Sequence, residues 1–176
     1  MRYVIVSVLK GEGGEFNNSL RKEVFKKFKA RSSKLPAHFT IKAPFEYDGS
    51  ILELENAISK YCNLNKKQNY KVEGFNHFDD RVIFMDVKMD KQCRMLHDTL
   101  IDELTKISFL KFSDIDGRNK KVHVTVASKK INKIFESLWA YISTLSCNFD
   151  EDFDNVTVYK WQGDTWVLHK EFKFKG

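Results

Sequence analysis

Two short stretches hold the residues best suited to chemistry: Ala37-His38-Phe39-Thr40-Ile41-Lys42 and, 85 positions later, Val122-His123-Val124-Thr125-Val126. Each reads His-x-Thr-apolar. An imidazole titrates near neutral pH and can take or give a proton, and a hydroxyl beside it can donate to an oxyanion. In the first copy, polar His38, Thr40 and Lys42 alternate with apolar Phe39 and Ile41, the period of a strand with one buried face. Residues two apart in a strand lie about 6.6 Å apart on one face, at roughly 3.3 Å per residue, so the His and Thr of each copy point into one space. Two such strands side by side present two imidazoles and two hydroxyls to one small anion. A lone His-x-Thr would be a weak signal, whereas a pair in strand-like alternation is a strong one.

The elements that must position these strands can be read in order. Tyr3 to Leu9 is β-branched and almost continuously apolar, a central strand. Gly11 to Gly14 reads as a flexible connection, since it lacks a P-loop lysine and carries Glu12 and Glu15. Asn17 or Asn18 is expected to cap a helix through about Lys29, with Leu20, Val24, Phe25 and Phe28 as its apolar stripe. The basic segment Lys22 to Lys34 reads as a solvated face, of functional weight only where it borders the cleft. A helix is expected from about Ile51 to Cys62, and strands over Tyr70 to Phe78 and Arg81 to Met89. Lys91 to about Ile107 follows as an amphipathic helix, then a polar loop from Ser113 to Asn119. The second motif strand leads to a helix from about Ile131 to Leu145 and a closing hairpin, Val156 to Gln162 and Trp166 to Phe174, turning at Gly163-Asp164.

The two halves, about 1–80 and 81–176, therefore read strand, helix, motif strand, helix, then strands. That order predicts a single α+β domain of two related lobes packed about a pseudo-twofold axis, with one motif from each facing a central cleft. Two antiparallel sheets are expected to form the cleft, with helices outside. A chain of 176 residues with 42% hydrophobic content has enough apolar mass for one such core. The formal charge of +6 leans towards an anionic partner without specifying one. Cys62, Cys93 and Cys147 are odd in number and widely spaced, which argues against a disulfide framework or zinc ribbon and for a reducing, cytoplasmic setting. No segment is a membrane candidate, and no His, Cys or acidic cluster has metal-ligand spacing.

The paired motifs, their separation and the element order resemble the 2H phosphoesterase superfamily, which includes bacterial 2'-5' RNA ligase and cyclic phosphodiesterase proteins. The resemblance also covers Pro36 before the first motif, the Lys42-Ala-Pro-Phe45 continuation and the terminal hairpin around Gly163. It implies a bilobal α+β fold and a cleft active site that needs no metal or cofactor. The implied substrates are RNA ends or small nucleotides carrying a 2',3'-cyclic phosphate or a 2'-5' bond. Relatives among the RNA ligases often have a serine near the end of the penultimate strand, where this chain has Trp161, so substrate contacts there are not carried over.

Opening a cyclic phosphate needs one base and one acid, and His38 and His123 can divide those tasks. Thr40 and Thr125 are expected to donate to the non-bridging phosphate oxygens. Lys42, on the predicted face of His38, is expected to add positive charge there; its counterpart Ala127 cannot. Phe45, Tyr159 and Trp161 are nominated as platforms for base stacking, against core packing as the default. His77, His97 and His169 read as structural. Ligation is the same chemistry with a ribose hydroxyl in place of water, so the motifs do not separate it from hydrolysis. A competing reading keeps the cleft as an RNA-binding module without turnover, and another replaces RNA with a non-RNA phosphodiester. No obligatory protein partner is indicated.

Overall fold

The computed structural model describes residues 1–176. In chain order the strands are β1 (Arg2–Val8), β2 (His38–Glu46), β3 (Gln68–Phe78), β4 (Val82–Lys88), β5 (His123–Ala127), β6 (Asn148–Phe153), β7 (Asn155–Gln162) and β8 (Thr165–Lys173). The helices are α1 (Glu12–Phe28), α2 (Leu52–Leu64), α3 (Lys91–Thr105) and α4 (Phe135–Ile142), the last preceded by a 3-10 turn at Asn132–Ile134. None of them is long and apolar enough to cross a membrane.

All strand neighbours are antiparallel, in the order β6-β3-β4-β5-β2-β1-β7-β8. The two four-stranded halves, β6-β3-β4-β5 and β2-β1-β7-β8, meet at a seam with one paired position, Phe39 opposite Val124. Around that seam β2 mirrors β5, β1 mirrors β4, β7 mirrors β3 and β8 mirrors β6. One face of both halves carries the main core, including Ile5, Phe39, Ile83, Met85 and Val124, under Leu20 of α1, Leu54 of α2, Leu100 of α3 and Leu138 of α4. The opposite face carries only a small apolar group, Val4, Val6 and Leu35. Helices thus cover one side and leave the other to the motif side chains.

Three differences from the sequence reading have local causes. Helix α1 starts at Glu12, not after Asn17 or Asn18, because its cap comes from far along the chain: the buried Glu151 carboxylate accepts from Gly11 N at 3.1 Å and Gly14 N at 3.0 Å. Gly14 is needed there, since a Cβ would stand 2.2 Å from the Leu9 carbonyl oxygen. The acidic segment 148–153, which carries no apolar alternation of strand type, is strand β6 paired along β3. The fourth helix is short, Phe135–Ile142, within the expected 131–145 span.

Candidate active site

The seam sets the two motifs against each other. With Phe39 opposite Val124, continuing the antiparallel register by one residue each way puts His38 across from Thr125 and Thr40 across from His123. Phe39 and Val124 point into the main core and are fully buried, so the four motif side chains share the other face. His38, Thr40 and Thr125 line one small cavity of about 170 Å³ with Ser33, Pro44, Ser128 and Trp166. That is well below an ordinary ligand pocket, which runs from about 300 Å³ upward.

Both imidazoles are held in the same way. His38 Nδ1 lies 2.7 Å from the Pro36 carbonyl oxygen, and His123 Nδ1 lies 2.9 Å from that of Lys121, in each case two residues back. A carbonyl only accepts, so each Nδ1 carries the proton and each Nε2 is left free to exchange one. Burial pushes the His38 imidazole down to about 4, against the pull of the Pro36 carbonyl, with the charges of Arg21, His123 and Lys120 lowering it further. Burial also lowers His123, with Lys120 and Lys121 adding to the effect and the Asp86 carboxylate opposing it. Its ring sits against Phe78 and Phe84, with centroids 5.0 and 4.9 Å away.

The structure does not bring Lys42 to this site. Thr40 pairs with Val6, but Lys42 pairs with Ile5, so Ile41 is an extra residue on β2 and the alternation is reset directly after the threonine. The same happens on β5, where Thr125 pairs with Phe84 and Ala127 with Ile83. Lys42 therefore turns to the helix side, where its Nζ lies 2.5 Å from Asp116 Oδ2 and both side chains are buried. Burial works to raise the Asp116 carboxyl, and Lys42 with the Ser113 N–H overcomes it, leaving it below the usual carboxylate range. The Ser113–Asn119 loop is thus anchored from inside.

Phe45 is also corrected. A second irregularity brings it opposite Tyr3, and it lies half-buried at the margin of the main core, against Tyr3 and Phe109 at 5.8 and 6.5 Å. Tyr159 lies opposite Val4 and packs on the small apolar group of the motif face. Trp161 pairs with Trp166, their rings edge to face at 5.2 Å, so Trp166 lines the cavity and Trp161 backs it. His97 is buried on α3, His77 packs against Phe135 and Trp139, and the Nε2 of His169 lies 2.7 Å from Glu55, as structural roles require.

Sequence reasoning missed the residues that hold the motifs from behind. Asn17 of α1 donates Nδ2–H to the Thr125 carbonyl at 3.2 Å, and the Oδ1 of its neighbour Asn18 accepts from Ala37 N at 2.9 Å. One pair of asparagines thus ties a single helix to both motif strands. Lys120, buried and pushed down to about 8 by that burial, donates Nζ–H to the Thr40 carbonyl. Its type and position, three residues before His123, gave no signal of this.

A profile of the 2'-5' RNA ligase superfamily matches residues 15–165 of this chain. The chain belongs to that superfamily, the 2H phosphoesterases. A protein of Geobacillus sp. (strain WCH70), provisionally named a phosphoesterase, is 22% identical over 166 residues, covering 92% of this chain and 90% of its own. Among solved structures, TT0787 of Thermus thermophilus superposes with a TM-score of 0.64 at 16% identity, covering 100% of this chain and 99% of that one. E. coli LigT complexed with 3'-AMP gives a TM-score of 0.63 at 16% identity, with 99% and 98% covered. These likenesses show the 2H fold, an α+β arrangement of antiparallel sheet and outer helices, as expected from the sequence.

Proposed function

We propose that this 2H phosphoesterase opens 2',3'-cyclic phosphates, or 2'-5' phosphodiesters, on RNA ends or small nucleotides, using the two motif histidines and no metal or cofactor. The observation that carries this reading is the crossed pairing of the motifs at the seam, with Nε2 of each imidazole left free. The 3'-AMP held by the LigT structure of the same fold supports a nucleotide ligand.

Water attacks phosphorus while neutral His38 takes its proton on Nε2, and the bond from phosphorus to one ribose oxygen breaks. His123, in its imidazolium form with both ring nitrogens protonated, gives the Nε2 proton to that oxygen, after which solvent exchange resets both rings. The depression of His38 to about 4 supports the base role, because it is neutral across the physiological range. The Asp86 carboxylate opposite His123 supports the acid role, since it offsets part of the lowering there. Thr40 and Thr125 donate to the non-bridging oxygens as charge builds on them. With a ribose hydroxyl in place of water the reverse reaction is ligation. The equivalences β1–β4, β2–β5 and β3–β7 keep chain order and support an internal repeat of about 1–80 and 81–176 within one bilobal domain, whose lobes exchange strands: β3 sits with β4 and β5, and β7 and β8 sit with β1 and β2. Three free, buried cysteines support a reducing, cytoplasmic setting.

The test is incubation of the protein with 2',3'-cyclic nucleotides in EDTA, separating the 2'- and 3'-monophosphates. Metal-free turnover to one isomer is expected. Cyclic nucleotide that binds and stays intact would replace this reading with the RNA-binding module, and turnover only after a divalent cation is added would overturn the metal-free mechanism.

A further inference from the structure

A second depression, of about 690 Å³, adjoins the motif cavity and shares Ser33 and Leu35 with it. Arg21, Lys22, Arg31, Lys34 and Lys129 all line it, and no Asp or Glu does. Only Lys34 has a carboxylate partner, an exposed contact of 3.4 Å with Asp164. The Arg21 guanidinium is held by neutral groups, Asn18 Oδ1 at 2.7 Å, Ser32 Oγ at 3.3 Å and the Ser33 carbonyl at 3.2 Å, and its Nε is buried without a partner. Backbone pairing then sets two more cations side by side. Ser128 N and Lys129 N both donate to the Arg31 carbonyl, at 2.8 and 3.1 Å, and Arg31 and Lys129 form an isolated bridge that fixes the chain after α1 to the end of motif strand β5. Like charges held together without a counterion repel, and an anion relieves the repulsion.

The depression also offers an aromatic surface. Phe25 lines it, is 41% exposed, and has the Arg31 guanidinium 5.1 Å from its ring centroid. A basic track beside an exposed aromatic is the chemistry that holds a single nucleic-acid strand, phosphates on the cations and a base on the ring. The motif cavity is too small for more than the reacting phosphate and its immediate surroundings, so a longer substrate must extend outward, and the border at Ser33 and Leu35 leads it here.

Building on the phosphoesterase reading, we infer that the substrate is an RNA strand rather than a lone nucleotide, with the phosphates next to the reacting one seated on Arg21, Lys22, Arg31 and Lys129. A free metabolite carrying one phosphodiester leaves this surface unused.

The experiment compares a 2',3'-cyclic mononucleotide with a trinucleotide that ends in the same cyclic phosphate, at 50 and 200 mM salt, for the wild type and for the Lys22→Gln/Arg31→Gln/Lys129→Gln variant. All three positions are exposed, so their replacement leaves the core intact. The wild type is expected to favour the trinucleotide in kcat/KM, and neutralising its two extra phosphates makes that preference fall about sevenfold over this salt range, at a slope of roughly 0.7 per phosphate. In the variant the ratio of trinucleotide to mononucleotide falls towards one. Equal kcat/KM for the two substrates in the wild type, or an undiminished preference in the variant, would overturn the inference while leaving the phosphoesterase reading in place. Should neither substrate turn over, that reading fails instead, and fluorescence anisotropy with a labelled trinucleotide decides the surface separately: salt-sensitive binding lost in the variant supports it, and binding unaffected by the variant removes it.

Discussion

His38 and His123 stand on strands built alike and set in unlike surroundings. Each ring donates Nδ1–H to the carbonyl two residues back, and each strand bulges directly after its threonine. Around His38 the neighbours are Arg21 and a cavity walled by Pro44 and Trp166, whereas His123 lies against Phe78 and Phe84 with Asp86 paired across from it. The shared backbone plan orients two equivalent nitrogens, and in the proposed mechanism the surroundings decide which serves as base and which as acid. Like side chains on one backbone plan thus differ in burial and in neighbouring charge.

The sharpest way to break that comparison is a substrate whose leaving group needs no acid. With a nucleoside 3'-(p-nitrophenyl phosphate), His123→Ala is expected to regain most of the loss of about 10²- to 10⁴-fold that it shows on a cyclic nucleotide, while His38→Ala stays impaired on both. Recovery in His38→Ala instead would exchange the two roles.

Next in size is Lys42, which has a partner on the helix side where its mirror position has Ala127. Breaking its buried pair with Asp116 is expected to cost about 3–5 kcal/mol in urea unfolding, because Lys42→Met strands a buried carboxylate. The KM of the folded fraction should stay near that of the wild type. A large rise in KM without loss of stability would return Lys42 to the phosphate.

Smaller effects separate the two supports on α1. Asn18→Ala removes the acceptor for Ala37 N beside His38, and Asn17→Ala removes the donor to the Thr125 carbonyl. Each is expected to cost about 1–2 kcal/mol of stability. If the roles differ as argued, Asn18→Ala should alter the acidic limb of the kcat/KM profile, governed by His38, and Asn17→Ala should lower kcat with that limb in place.

The last effect is confined to acid pH and concerns the imidazole beneath the His38 strand. His97 is fully buried 6.5 Å from Phe39, and burial pushes it down to about 4 despite its bond to Asp98. Below its unfolded value near 6.5 the unfolded chain binds a proton that the folded chain refuses until about 4, so stability falls as pH falls through that window. His97→Gln is expected to shallow this decline in urea midpoints between about pH 6.5 and 4. An unchanged slope would show that His97 is not a source of it.

Most of the architecture was legible because the motifs and the strands carry their period openly. Lys42 and Phe45 misled because a bulge inserts one residue without disturbing the written alternation: polar Lys42 follows apolar Ile41 as any outward residue would. Helix α1 hid its first turn in Gly11 to Gly14, a turn-like run whose cap, Glu151, lies 140 residues beyond Gly11. Strand β6 was hidden by its acids, since Asp150 and Asp152 reach Lys71 and Lys67 across the edge and the inward face, Phe149, Glu151 and Phe153, is interrupted by a carboxylate. Asn17 and Asn18 were visible as residues but not as supports, because their partners come from strands far along the chain.

The central claim is that His38 and His123 work as one unit across the seam, and the direct measurement is kcat for a 2',3'-cyclic nucleotide in EDTA with His38→Ala, His123→Ala and the double variant. The account predicts that either single change costs nearly as much as both together, as for groups acting in one step. Independent, multiplying losses, or one single variant that keeps nearly full activity, would contradict it.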